Sequence, residues 1–168
     1  KAEAPLKAIS SAVHNAGIGW YDTFLNRSIA PDYDIYSVKE ETYDFLVNNN
    51  FAPTSTVVMM TAVATKCAAI QTFTHAELEI VIMVTAGVGN GVDVTKTYLR
   101  DEQPHVGTIN TWVFINGKLT DEAFIQAMLT ATEAKTKALA DQQVTDAFTG
   151  TIATSTATDS LLIAATQH

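Results

Sequence analysis

Two largely apolar runs, Thr56 to Ala64 and Leu78 to Thr85, have the length of buried strands and are too short for core helices. Ile70 to Thr74, between them, is read as a third strand. Val106 to Ile115 and Leu161 to Ala165 complete a predicted set of five, and Asn116-Gly117 supplies a turn after the fourth. From about Asp121 to Ala140 the spacing changes. There Phe124, Ile125, Met128, Leu129, Ala131 and Leu139 form a stripe near helical period, with Asp121 and Glu122 at the positive end of the helix. Ser37-Val-Lys-Glu40 reads as a capping box opening a shorter helix, which carries Val38, Tyr43, Phe45, Leu46 and Val47 and ends in Asn48-Asn49-Asn50. Apolar strands alternating with helices predict an α/β or α+β layered fold, a sheet of about five or more strands covered on both faces. The pattern does not give the strand order. Thr145 to Thr158 reads as a long connection placed to lie over a site.

Composition narrows the function classes. With 168 residues and 47% hydrophobic content, the chain is expected to fill one core as one domain. A net charge of −8 and ten scattered Lys and Arg would repel a phosphate backbone, so no nucleic-acid partner is expected. No stretch reaches the roughly 18 apolar residues of a membrane span, and KAEAPLKAISSAV lacks a signal peptide's apolar core; the expectation is a cytoplasmic protein with no membrane partner. The missing initiator Met and the abrupt stop after Leu161 to Ala165 are read as trimmed ends. Cys67 stands alone, which rules out an intrachain disulfide and fits a reducing compartment; it is read as a small buried hydrophobe. His14, His75, His105 and His168 have no ligand-like spacing, so no metal is expected.

Candidate chemistry lies where polar residues interrupt the apolar frame. Asn110, Thr130 and Glu133 sit inside a predicted strand and helix, where an unpartnered polar group costs about 1–3 kcal/mol. Each must therefore complete a network or face a ligand. Glu133 also lies four residues before Lys137, the spacing of a surface ion pair. The glycine-rich stretch Thr85 to Asp93 follows a strand, so Gly87, Asn90 and Asp93 reach a strand end where open sheets bind ligands. It does not have the GxGxxG spacing of dinucleotide binding. Thr158-Asp159-Ser160 gathers hydroxyls around one carboxylate, suited either to a turn or to activating water for acyl transfer. His105, beside Pro104, is read as solvated.

Gly107 to Leu139, GTINTWVFINGKLTDEAFIQAMLTATEAKTKAL, resembles the core of the adenosylcobinamide amidohydrolase family. Thr85-Ala-Gly-Val-Gly-Asn90, Ile9-Ser-Ser-Ala12 and Thr158-Asp-Ser160 are similar to further family blocks, so the resemblance spans most of the chain. Ser155 stands where the family has Gly, and Ala157 where it has a hydroxyl residue. The resemblance implies hydrolysis of the amide joining the aminopropanol arm to the corrin of adenosylcobinamide, giving adenosylcobyric acid in cobalamin salvage, without a cofactor. Amide cleavage needs a base and donors for the developing oxyanion; Asp159 or Glu133 is assigned the base role, and Asn90 with Asn110 the oxyanion and amide-positioning roles. Gly87, Asp93, Thr158, Ser160 and Ser11 would then contact the corrinoid. A nucleophile among Ser10, Ser11, Thr158 and Ser160 stays open, because no GxSxG elbow is present. A non-catalytic corrinoid-binding domain, its activity lost through Ser155 and Ala157, is the second reading. A homo-oligomer joined by apolar sheet edges is the third.

Overall fold

The computed structural model describes residues 1–30, 33, 37–100 and 107–168. Among these residues, ten strands and two α-helices follow in the order β1 (Leu6–Ser10), β2 (Gly17–Tyr21), β3 (Thr23–Ser28), α1 (Val38–Asn48), β4 (Thr56–Thr61), β5 (Ala69–His75), β6 (Leu78–Ala86), β7 (Gly91–Val92), β8 (Ile109–Asn116), α2 (Asp121–Asp141), β9 (Ser155–Thr156) and β10 (Ser160–Ala165). Six of the strands form one mixed sheet in the order β2-β1-β10-β8-β6-β5, so the layered α/β expectation is met. β8 and β10 run parallel with α2 between them in sequence, a βαβ unit, while the other pairs in this sheet are antiparallel.

Strand alternation sorts β8 and β10 onto two cores. Val113, Ile115, Ile163 and Ala165 face α2, where Phe124 packs against them. Trp112, Leu162 and Ala164 face the other way, onto Val57 and Met59 of β4. The second layer is a parallel pair of β3 and β4. The apolar run from Thr56 therefore makes a strand outside the main sheet, and it ends at Thr61, whose hydroxyl accepts from the Val63 amide at 3.0 Å. A helix covers one face of the main sheet and a small sheet covers the other.

The helices follow their predicted bounds to within about a residue, for different reasons at their starts. Thr120 caps α2, its hydroxyl accepting from the Ala123 amide at 3.3 Å. Ser37 precedes α1 without a side-chain cap, so the predicted capping box does not form. An ion pair holds α1 instead: Arg27 of β3 donates through both Nη1 and Nη2 to Glu41, at 2.5 and 2.6 Å, and lies 4.0 Å from the centre of the Phe45 ring. β1, β2 and β3 were not predicted. LKAIS, GIGWY and TFLNRS are short and mix polar, glycine and apolar residues, so they carry little apolar periodicity. Cys67 is exposed in a 3₁₀ turn, not buried, which corrects its reading as a core residue.

Candidate active site

The site forms at the edge where β8 and β10 begin and β1 and β6 end. α2 runs back across the sheet, so its second half passes over this edge. Asp159, one residue before β10, is held there by backbone. Its Oδ1 accepts from the Ile109 amide at 3.0 Å, from the Thr156 amide at 3.2 Å and from the Thr156 hydroxyl. Its Oδ2 accepts from Lys135 Nζ of α2 at 2.5 Å. Both side chains are mostly enclosed, at 15% exposure for Asp159 and 19% for Lys135. The pair sits in a protein environment, where charge-assisted hydrogen bonds are stronger than in water.

Two hollows meet at this pair. A smaller cavity of about 170 Å³ has a polar wall of Ser11, Thr132, Lys135, Asp159 and Ser160 beside apolar Met128 and Leu161. A larger groove, about 550 Å³, lies between α2 and the β6/β8 face, with Ile82, Val84 and Val113 as its floor and Ala134, Ala138 and Leu139 as its roof. Ile109, Thr111, Ala131 and Lys135 border both. The groove has a local cause in sequence. Ala131, Ala134 and Ala138 have side chains too short to fill the space between the helix and the sheet, whereas Phe124 and Met128 fill it in the first half of α2. Among the described residues, Lys135 is the only charged one lining the groove.

The residues singled out from sequence separate into groups. Asp159, Ser160 and Ser11 border the smaller cavity together. Ser11 also links β1 to β10, its Oγ accepting from the Leu161 amide at 3.0 Å. Thr158 and Asn90 act one step behind the cavity. Both donate to the Gly107 carbonyl, Thr158 Oγ1 at 2.8 Å and Asn90 Nδ2 at 2.9 Å, which pins the start of β8. A Cβ on Gly107 would collide with the Asn90 carboxamide, so the glycine is needed for this approach. Gly87 donates its amide to the Thr108 carbonyl at 2.9 Å and packs against Val63, away from the cavity lining.

Asn110 lies on the opposite face of β8 from the cavity, because strand alternation turns it toward β3 and β4. Its Nδ2 donates to Asn26 Oδ1 at 2.7 Å and to the Met60 carbonyl at 2.8 Å, and its Oδ1 accepts from Thr108 Oγ1 at 3.1 Å. Asn26 continues the chain to Thr85 Oγ1 at 3.0 Å. This is a closed polar network between the two sheets, with Asn110 fully buried. Glu133 is exposed on α2 and borders neither hollow, and Lys137 pairs with Asp141 instead of with it. Asp93 belongs to a second knot. It accepts from the Thr95 amide at 3.0 Å and from Thr151 Oγ1 at 2.7 Å, and its amide donates to Asp146 Oδ2 at 3.0 Å. The Thr95 hydroxyl, then that of Thr151, holds the Asp93 carboxyl below its ordinary range. Burial opposes ionisation of Asp146, but Arg100 and the amides of Asp93, Phe148 and Thr149 outweigh it and hold that carboxyl well below the usual range. His105 and the start of the predicted strand at Val106 lie outside the described residues.

Lys135 is the residue that sequence reasoning passed over. Its signal was position: it falls seven residues after Met128, four after Ala131 and four before Leu139, so it is a cation on the stripe that faces the sheet. Among the described residues, no three His, Cys, Asp or Glu side chains come together as a metal-ligand set.

The six-stranded mixed sheet thus carries a carboxylate–ammonium pair between a cavity with polar walls and an apolar groove. The family model of adenosylcobinamide amidohydrolase matches residues 1–168, and the chain belongs to that family of amidohydrolases acting on adenosylcobinamide. No curated protein and no solved structure matches the chain.

Proposed function

We propose that this chain hydrolyses the amide joining the aminopropanol arm to the corrin of adenosylcobinamide, releasing adenosylcobyric acid in a salvage step of cobalamin synthesis in the cytoplasm. The observation that carries this reading is the position of Asp159, held by backbone at the polar wall of a cavity that adjoins an apolar groove. The groove would take an apolar edge of the large substrate, and the cavity would receive the amide arm. Asp159 is the base. Its Oδ1 is occupied by three donors, while Oδ2, bonded to Lys135 alone, keeps acceptor capacity for a water.

Ser155 and Ala157, the departures behind the binding-only reading, do not disturb the turn that carries Asp159. Ser155 sits in β9 without positive φ, so glycine's backbone freedom is not needed there. Ala157 is exposed, and its neighbours Thr156 and Thr158 supply the hydroxyl bonds that hold the turn. The test is product analysis by mass spectrometry after incubation with adenosylcobinamide. Adenosylcobyric acid and free aminopropanol are expected. A shift in the corrinoid absorption spectrum without either product would replace this reading by the binding module.

A further inference from the structure

The geometry points to Lys135 as a catalytic residue of the amide hydrolysis, its ammonium binding the carbonyl oxygen of the scissile amide and carrying the negative charge that develops there. This rests on the amidohydrolase reading above. Three observations converge on it. Lys135 borders both hollows, at the place where an amide arm would pass from the groove into the cavity. Its ammonium has three hydrogens, and its one hydrogen bond, to Asp159, uses a single one. Asp159 does not depend on it for its place, because two backbone amides and the Thr156 hydroxyl already fix that carboxylate.

The position is also a costly one for a purely structural lysine. An apolar side chain would fill the gap between the alanine-lined stretch of α2 and the sheet, and replacing an enclosed ion pair by packed apolar groups is often neutral or stabilising. A cation kept there has a use in chemistry. Asn90 and Asn110, the oxyanion donors expected from sequence, border neither hollow, and among the described residues lining the two hollows Lys135 is the one cation. Fixed donors aimed at the developing oxyanion in an enclosed site commonly give the largest single contribution to acyl-transfer rates.

The step balances as follows. The oxygen of a water bonds to the amide carbon, and the C=O π pair moves onto the carbonyl oxygen against Lys135. One water proton passes to Asp159 Oδ2. Collapse re-forms C=O and breaks the C–N bond, and the nitrogen takes the proton from Asp159, leaving a carboxylic acid and a free amine. Lys135 keeps its proton throughout.

Steady-state turnover of adenosylcobinamide and corrinoid binding by absorption titration, on the full chain, test the assignment. Lys135→Met is expected to lower kcat by about 10²–10³-fold while the dissociation constant changes less than about threefold. Lys135→Arg, which restores the charge, is expected to recover at least about tenfold of that loss. Lys137→Met, at an exposed position two residues on, is expected to leave turnover unchanged. If Lys135→Met does not fold, Lys135→Gln decides by the same criteria. A kcat within about threefold of wild type, a loss confined to binding, or an Arg variant as impaired as the Met variant would each overturn the role. No turnover by the wild-type chain would sink the proposed function and this role with it. Normal wild-type turnover beside an undiminished Lys135→Met would sink the lysine assignment alone.

Discussion

Asn110 shows how one polar residue in a strand can be read two ways until its face is known. Both of its amide hydrogens are used, on Asn26 and the Met60 carbonyl, so its bonding capacity is spent between the sheets. Asn110→Leu would leave those two acceptors short of a donor, at a cost of roughly 3 kcal/mol, while the Thr108 hydroxyl keeps the Thr158 carbonyl at 2.8 Å. The expected reading is a melting temperature lower by roughly 6–12 °C for a chain of this size. Loss of turnover in a variant that keeps its melting temperature would move Asn110 into the site. Asp159→Asn is expected to do the reverse, keeping the fold while lowering kcat at least about 100-fold, as checked by steady-state kinetics beside circular dichroism. Glu133→Gln should change stability by less than about 0.5 kcal/mol and leave turnover intact, because the side chain is exposed and borders neither hollow. A drop in its kcat would mean that the outer face of α2 takes part in the reaction. Residue type was legible at these positions and residue role was not. Asn110 and Thr111 are neighbours in sequence, yet pleating sends the first into the inter-sheet network and the second to the lining of both hollows.

At the scale of elements, the segments around the site are tied by knots that depend on ionised carboxylates. Arg100 and Asp146 join the 3₁₀ segment Val94–Leu99 to the bridge between Thr145 and Ile152. The Asp146 carboxyl is held below its ordinary value in the folded chain. A group depressed in this way stabilises the fold fully above its unfolded pKa of about 3.9, and the contribution is lost as pH falls through the lower folded value. Asp22, Glu41 and Asp93 shift in the same direction. Stability by urea denaturation is therefore expected to fall on acidification below about pH 4, and Asp146→Asn should make that acid limb shallower. An acid limb of unchanged slope in Asp146→Asn would show that the knot does not couple to folding. The long helix was the most legible element, because twenty-odd residues of periodic pattern outweigh any local accident. The short strands β1 to β3 were illegible for the opposite reason. Glycine and charge occupy positions that only pairing makes into sheet, β1 with β10 and β2, and β3 with β4.

At the scale of the whole molecule, one six-stranded sheet carries a core on each face, and both cores share β8 and β10. Such sharing leaves no strand boundary at which one core could melt alone. Calorimetry is expected to show a single transition with an enthalpy of roughly 120 kcal/mol near 60 °C, from about 0.7 kcal/mol per residue. Two resolved transitions would divide the chain into independent units. The outer strand β5 is exposed along its length, with Ile70 at 64% and Phe73 at 53%, so it contributes an edge to the sheet but little to either core. By itself, the sequence determined that apolar strands would be covered by an amphipathic helix, because period and residue type act locally. It also determined the family, whose model matches the chain from end to end. Only the tertiary structure decided which polar residues meet. Asp159 and Lys135 lie 24 positions apart and on different elements, and the βαβ crossing brings them within 2.5 Å. Asn110 and Asp159 have neighbouring backbones yet act on opposite faces of the sheet, because strand alternation assigns the faces and only pairing register sets what each face meets.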